Sequence, residues 1–273
     1  MVNCGNIFLW PGFRQNIVNK ISVSLQMNPI ISKNIEELSE TVANWIVDHI
    51  TTVLQNQDRF TICLSGGSTP KKLYQLLASE DFKNKIDWKK IHVFWGDERY
   101  TPFTDDRNNA KMAYDVLLNH VPIPSEQIHR IRTDIEPEAS AKEYEKILRK
   151  YFPLTIHNVQ GTTFDLTFLG LGDNAHVLSL FPGYQLIHEQ HSWVRAVYLK
   201  EQNIYRITLT APVVNLSKRI AFLVSGQDKA DALVHVLEGH FVPDLYPAQI
   251  IKSENGELFW FVDEVAAARL KKP

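Results

Sequence analysis

A chain of 273 residues with 44% hydrophobic and 22% charged residues has an ordinary globular balance and is long enough for one large domain or two small ones. Its formal net charge is -2, with Lys and Arg spread along the chain, so there is no basic stripe of the kind that nucleic acid or an anionic membrane requires. The two cysteines, Cys4 and Cys63, stand outside any C-x-x-C pattern, which argues against a disulfide framework or a zinc site and fits a reducing cytoplasm. No apolar run reaches the roughly 18 residues of a transmembrane span.

Residues 1–26 read as a poorly specified extension. Their apolar stretch, 7–10, is too short for a signal peptide and is interrupted by Pro11 and Gly12. The first strong signal follows Met27, which makes Met27 a candidate natural start and places the domain at 27–273. Asn34 with Glu37 offers a helix cap and its reciprocal partner, and Leu38, Val42, Trp45, Ile46, Ile50, Val53 and Leu54 recur at helical spacing. The run 60–64 predicts a strand, Ser65-Gly66-Gly67 a tight turn, and Thr69-Pro70 the cap and first turn of a helix ending at Ala78. The same grammar recurs at 91–95 with a helix over 109–119, at 164–169 before Gly170 and Gly172, and at 220–224 before Gly226 and a helix over 229–237. Residues 206–210 and 258–262 read as further strands, 139–151 as a charged surface helix, and 121–137 as a loop within one domain. Continuous apolar strands alternating with helices predict a three-layer α/β sandwich with a mostly parallel, Rossmann-like sheet and a single domain.

In open parallel sheets, ligands bind beyond the carboxyl ends of the strands, and the polar, glycine-flanked segments fall there. Ser65, Gly66, Gly67, Ser68 and Thr69 would let backbone N–H groups and a helix N-terminus meet a phosphate, although a Gly-Gly turn is often only a turn. The ending differs from a P-loop, since Gly-Lys-Ser/Thr is missing. Asp97, Glu98 and Arg99 follow a buried strand. Arg99 has the planar fork for a phosphate, with a turn-closing ion pair as the alternative. Lys229 is a second candidate cation, or a solvated surface lysine. His176, in Gly170-Leu171-Gly172-Asp173-Asn174-Ala175-His176, is the one histidine directly after a strand-end glycine turn and suits a general base, or else a structural role. Ser179 lacks a nucleophile-elbow setting.

Across 65–70, 95–99, 170–183, 206–210 and Pro247-Ala248-Gln249, the chain resembles the 6-phosphogluconolactonase family, within the glucosamine/galactosamine-6-phosphate isomerase superfamily that also holds the deaminases. Ser179-Leu180-Phe181-Pro182-Gly183 resembles the lactonase ending; deaminases carry an Asn-Glu pair there. The resemblance implies hydrolysis of 6-phospho-D-glucono-1,5-lactone in the oxidative pentose phosphate pathway, without a metal or organic cofactor. It implies His176 as the water-activating base; Asp173 and Asn174 beside it are the further catalytic candidates. Arg99 and Lys229, with the 65–69 loop and Asp97, would bind a small-molecule phosphosugar lactone. Backbone donors of Gly67 or of the 172–176 turn would meet the oxyanion. A cytoplasmic monomer or homodimer is expected, with no nucleic-acid or membrane partner.

The family usually reads Asp-Gly-His where this chain has Asn174-Ala175-His176. Asn174 can hydrogen-bond a histidine but carries no charge, and Asp173 is expected to substitute in part. Ala175 matters if the turn needs positive φ. These departures keep a deaminase-like enzyme and a non-catalytic phosphosugar-binding module as alternatives. If His176 is the base, kcat/KM is expected to fall on the acid side between about pH 5 and 8.

Overall fold

The continuous apolar runs become the inner strands of a parallel sheet, and the computed structural model describes residues 28–153 and 161–271. The expected extension 1–26 and Met27 lie outside the described residues. The described chain begins with β1 (Ile30–Ser32), α1 (Ile35–Leu54), β2 (Phe60–Leu64), α2 (Ser68–Leu77) and the short α3 (Glu80–Lys83). There follow β3 (Ile91–Trp95), β4 (Asp97–Arg99), α4 (Asn109–Val116), α5 (Pro137–Tyr151) and β5 (Leu166–Leu169). The last part holds β6 (Val194–Leu199), β7 (Ile204–Leu209), α6 (Ala211–Asn215), β8 (Arg219–Val224), α7 (Ala230–Leu237) and β9 (Glu257–Asp263).

Six strands pair in the order β1-β9-β8-β5-β2-β3, every pairing parallel. Every residue of β2 and β5 is buried, so both faces of the central sheet are covered, as an α/β sandwich requires. On α1, Leu38, Val42, Ile46 and Ile50 face the core, each burial contributing roughly 2 kcal/mol. Asn34 caps α1 by accepting from the Glu37 N–H at 2.9 Å, while Glu37 itself accepts from Lys33 N–H at 3.1 Å, one residue short of the reciprocal bond. Chain order reverses between β2 and β5, the switch point where the loops after the two strands splay apart.

A second sheet was not foreseen. Strands β4, β7 and β6 pair antiparallel in that order, and residues 206–210 fall largely within β7 of this small sheet. The acidic segment Asp97–Arg99 is therefore a strand and not a turn. Gly96 joins the two sheets: its N–H donates to Leu64 O at 2.9 Å, and its carbonyl accepts from Leu209 N–H at 2.8 Å. Other boundaries shift for local reasons. Gly67, not Thr69, caps α2, and Pro137 opens α5 because a missing N–H costs nothing in a first helical turn. Strand β5 starts at Leu166, after the Asp165 carboxylate has accepted bonds of 2.8 Å from Thr61 N–H, Thr61 Oγ1 and Lys218 Nζ.

Candidate active site

The first wall of the site is the loop after β2. Gly67 sits at φ +109°, where a side chain is disfavoured, and a Cβ on Gly66 would fall 1.9 Å from Asn109 Oδ1. Gly67 is thus required by the backbone, and Gly66 by the space the buried Asn109 side chain takes. The first turn of α2 leaves the N–H groups of Ser68 and Thr69 without helical acceptors. Ser65 differs from expectation: its N–H donates to Tyr74 Oη at 3.1 Å, so only its side chain remains available to a ligand.

The second wall is β4. Asp97 is buried and accepts from Ser179 Oγ at 2.7 Å, while Asn109 Nδ2 donates to Asp97 O at 2.9 Å and the Arg206 guanidinium stands 3.7 Å from its carboxylate. Glu98 turns away to cap α4, accepting from Asn109 N–H at 2.6 Å and Ala110 N–H at 2.8 Å. Burial pushes the Glu98 carboxyl up to about 7, against the pull of those donors. Arg99 makes no ion pair with either acid; it donates from Nη1 to Arg107 O at 2.8 Å.

The third wall is the turn after β5. His176 Nδ1 lies 2.6 Å from Asn174 Oδ1, and its ring stacks on Phe181 with centroids 4.1 Å apart. An amide oxygen only accepts, so Nδ1 carries the proton and Nε2 keeps its lone pair. A Cβ on Gly172 would lie 1.9 Å from His176 Nδ1, so glycine is needed for the ring to seat. Ala175 does adopt positive φ, +61°, where the departure from glycine is strained. Its carbonyl accepts from Ala248 N–H at 3.0 Å, which gives Pro247-Ala248-Gln249 a role in holding the turn.

Three expectations for this turn need correction. Asp173 is exposed and accepts from Asn174 N–H at 2.9 Å, so it does not take a carboxylate's place on the ring. The N–H groups of Gly172, Asn174, Ala175 and His176 all have acceptors within the turn, so among the described residues only Asp173 N–H of this turn is left without one. Burial, with the charges of Arg206 and Lys229 adding to it and Asp97 opposing, pushes the His176 imidazole down to about 4. The acid limb of a rate that depends on neutral His176 therefore lies below pH 5.

These walls enclose a cavity of about 320 Å³ lined by Ser65 to Pro70, Asp97, Arg99, His176 and Lys229. Of the predicted positions, Asp173 and Asn174 do not line it. Lys229 is brought in by the turn at Gly226, whose N–H donates to the Asp263 carboxylate at 3.2 Å, and its Nζ is 2.8 Å from Asp228. Asn109, Gln202 and Arg206 also line the cavity and were not singled out from the sequence. Arg206 is buried, and among the described residues the Nε atoms of Arg99 and Arg206 have no protein partner. Its signal was present as a charge opening an otherwise apolar strand segment. Among the described residues, no group of three or more His, Cys, Asp or Glu side chains gathers to hold a metal ion, and no helix is long and apolar enough to cross a membrane.

Comparison with known proteins identifies the family and the fold. A 6-phosphogluconolactonase of Nostoc sp. is 37% identical over 249 residues, covering 88% of this chain and 99% of its own. The solved structure of a devB protein superposes with a TM-score of 0.79 at 33% identity, covering 89% of this chain and 99% of that one. The 6-phosphogluconolactonase of Trypanosoma brucei superposes with a TM-score of 0.78 at 27% identity, covering 90% and 100%. The model of the glucosamine-6-phosphate isomerases/6-phosphogluconolactonase family matches residues 33–260, and the chain belongs to that family.

Proposed function

We propose that this chain hydrolyses 6-phospho-D-glucono-1,5-lactone to 6-phospho-D-gluconate, the second step of the oxidative pentose phosphate pathway, in the cytoplasm. The observation that carries the reading is the 2.6 Å contact between Asn174 Oδ1 and Nδ1 of His176, whose ring lines a cavity together with a glycine loop and three cationic side chains. An uncharged asparagine in place of the family's aspartate still fixes the tautomer that a base needs, which favours catalysis over mere binding. The N–H groups of Gly66 to Thr69, with Arg99 and Lys229, take the phosphate.

His176 Nε2 removes a proton from water as its oxygen bonds to the lactone carbonyl carbon. The carbonyl oxygen becomes an oxyanion, which Arg206 stabilises. The bond from that carbon to the ring oxygen then breaks, and the ring oxygen takes the proton from the imidazolium. The acid product ionises. Asp97, held by Ser179 and Asn109, fixes Arg206 and balances its charge. His176 carries the proton from water to the ring oxygen, and the product's own acid proton leaves to solvent, with no metal or organic cofactor needed.

The test is acid release from freshly generated 6-phosphogluconolactone, corrected for spontaneous hydrolysis. His176→Ala is expected to lower kcat by at least about a hundredfold while 6-phosphogluconate still binds. Normal turnover in that variant removes His176 as the base. Binding without any catalysed rate in the wild type points to a phosphosugar-binding module, and ammonia release from glucosamine 6-phosphate to a deaminase.

A further inference from the structure

Two buried tyrosines grip neighbouring strand ends beneath the site in the same way. Tyr74, on α2, places its hydroxyl where it accepts from Ser65 N–H at 3.1 Å and donates to Ser65 O at 3.0 Å. Tyr144, on α5, accepts from Trp95 N–H at 2.8 Å and donates to Trp95 O at 3.0 Å. Both rings are almost wholly inaccessible, at 0% and 1% exposure, so neither hydroxyl can exchange its partners for solvent. Burial raises both phenol pKa values, which keeps the hydroxyls protonated and able to donate and accept at once.

The consequences at Ser65 are specific. Ser65 is the last residue before Gly66 and Gly67, two positions with the largest backbone freedom, and the helix that fixes their other end begins at Ser68. A loop of two glycines binds an anion well only if both of its ends are held, because otherwise ligand binding must itself order it. The near end is held by a side chain from the same helix. Tyr74 reaches back nine residues to Ser65, so the loop closes on its own following element.

We infer that Tyr74 is a positioning residue for phosphosugar binding: by occupying both backbone groups of Ser65 it pre-orders the Gly66–Thr69 N–H groups that receive the phosphate. The inference rests on the assignment of phosphate to that loop. Tyr74→Phe deletes one oxygen and keeps the ring in the core, and is the variant to compare with wild type. Ile46→Val, a core change on α1 outside the cavity lining, serves as the stability control.

In Tyr74→Phe the Kd for inorganic phosphate and for 6-phosphogluconate, measured by titration calorimetry, is expected to rise about fivefold to tenfold, as the loss of two local hydrogen bonds predicts. KM for the lactone should rise alike, with kcat changed less than about twofold, and Ile46→Val should leave both dissociation constants within about twofold of wild type. A Tyr74→Phe protein that is less thermostable yet binds phosphate as wild type does, or that loses kcat with KM unchanged, overturns the inference and leaves a structural tyrosine. The amide resonances of residues 66–69 in wild-type protein separate this failure from that of the underlying reading. If they do not move on adding inorganic phosphate, the loop assignment falls and the inference with it; if they move and Tyr74→Phe binds normally, only the inference falls.

Discussion

The loop after β2 and the turn after β5 face each other across the cavity, and they meet the demands of sharp chain reversal by opposite means. In the first, the left-handed position is a glycine, Gly67 at φ +109°. In the second, two non-glycine residues, Ala175 at φ +61° and Leu178 at φ +55°, take that conformation, and the glycine stands at 172, where the imidazole needs the space. One loop is relaxed and held at its ends; the other is strained and held by its surroundings. Ala175 is fully buried and tied to Ala248, and Leu178 packs so close to Gly96 that a Cβ there would lie 2.6 Å from its Cδ2. Strain of this kind persists only where packing over-determines the backbone, and it is found here beside His176.

The contrast breaks most visibly at the two glycines that make room for a side chain. Gly172→Ala puts a methyl group into the His176 ring and must displace it from Asn174, so kcat is expected to fall about a hundredfold with KM changed far less. Gly66→Ala puts its methyl group into Asn109 and is expected to raise KM instead. Steady-state kinetics on the pair checks whether one wall serves chemistry and the other binding; a matched loss of kcat in both variants would erase the distinction.

The next effect is on pH dependence. A base must be unprotonated, and with His176 pushed down to about 4, kcat/KM should be level from about pH 5 to 8 and fall only below that range. Asn174→Asp places a carboxylate on Nδ1 and favours the imidazolium, raising the imidazole pKa by roughly one to two units. The acid limb should then enter the range of pH 5 to 6. An acid limb that stays in place in Asn174→Asp would mean that the titrating group is not His176.

The smallest expected effect tests the strain itself. Ala175→Gly should stabilise the fold by about 0.5–1 kcal/mol, relief of the left-handed conformation outweighing the greater freedom of glycine in the unfolded chain. Gly67→Ala should destabilise it by about 1–2 kcal/mol. Denaturant unfolding of both variants reads the sign directly.

The strand-end logic was legible because β2, β3, β5 and β8 are almost wholly buried and so carry largely apolar runs that lead into glycine turns. That alone located the 65–69 loop, Arg99, His176 and Lys229 at one edge of the sheet. The small sheet was illegible for the converse reason: β4 is three residues of charge, Asp97–Arg99, and its pairing with β7 is decided by a contact more than a hundred residues away in sequence. Arg206 was lost with it, since a charged residue in an apolar segment reads as the solvent side of a strand until its partner strand is known. The roles of Asp173 and Asn174 depended on which way each side chain turns within one tight turn. Spacing does not encode that, and only the hydrogen bonds resolve it.

Gly96 gives one further consequence. A single residue there is stitched through its N–H to the parallel sheet and through its carbonyl to the antiparallel sheet, and the residue after it is Asp97. The carboxylate therefore stands at a rivet between two plates. Sliding of the small sheet, which carries Arg206, against the large one, which carries the glycine loop, would tear this rivet before it widened the cavity. A ligand thus meets a socket whose span between the glycine loop and Arg206 is set when the chain folds, and its reach is measured against a fixed gauge.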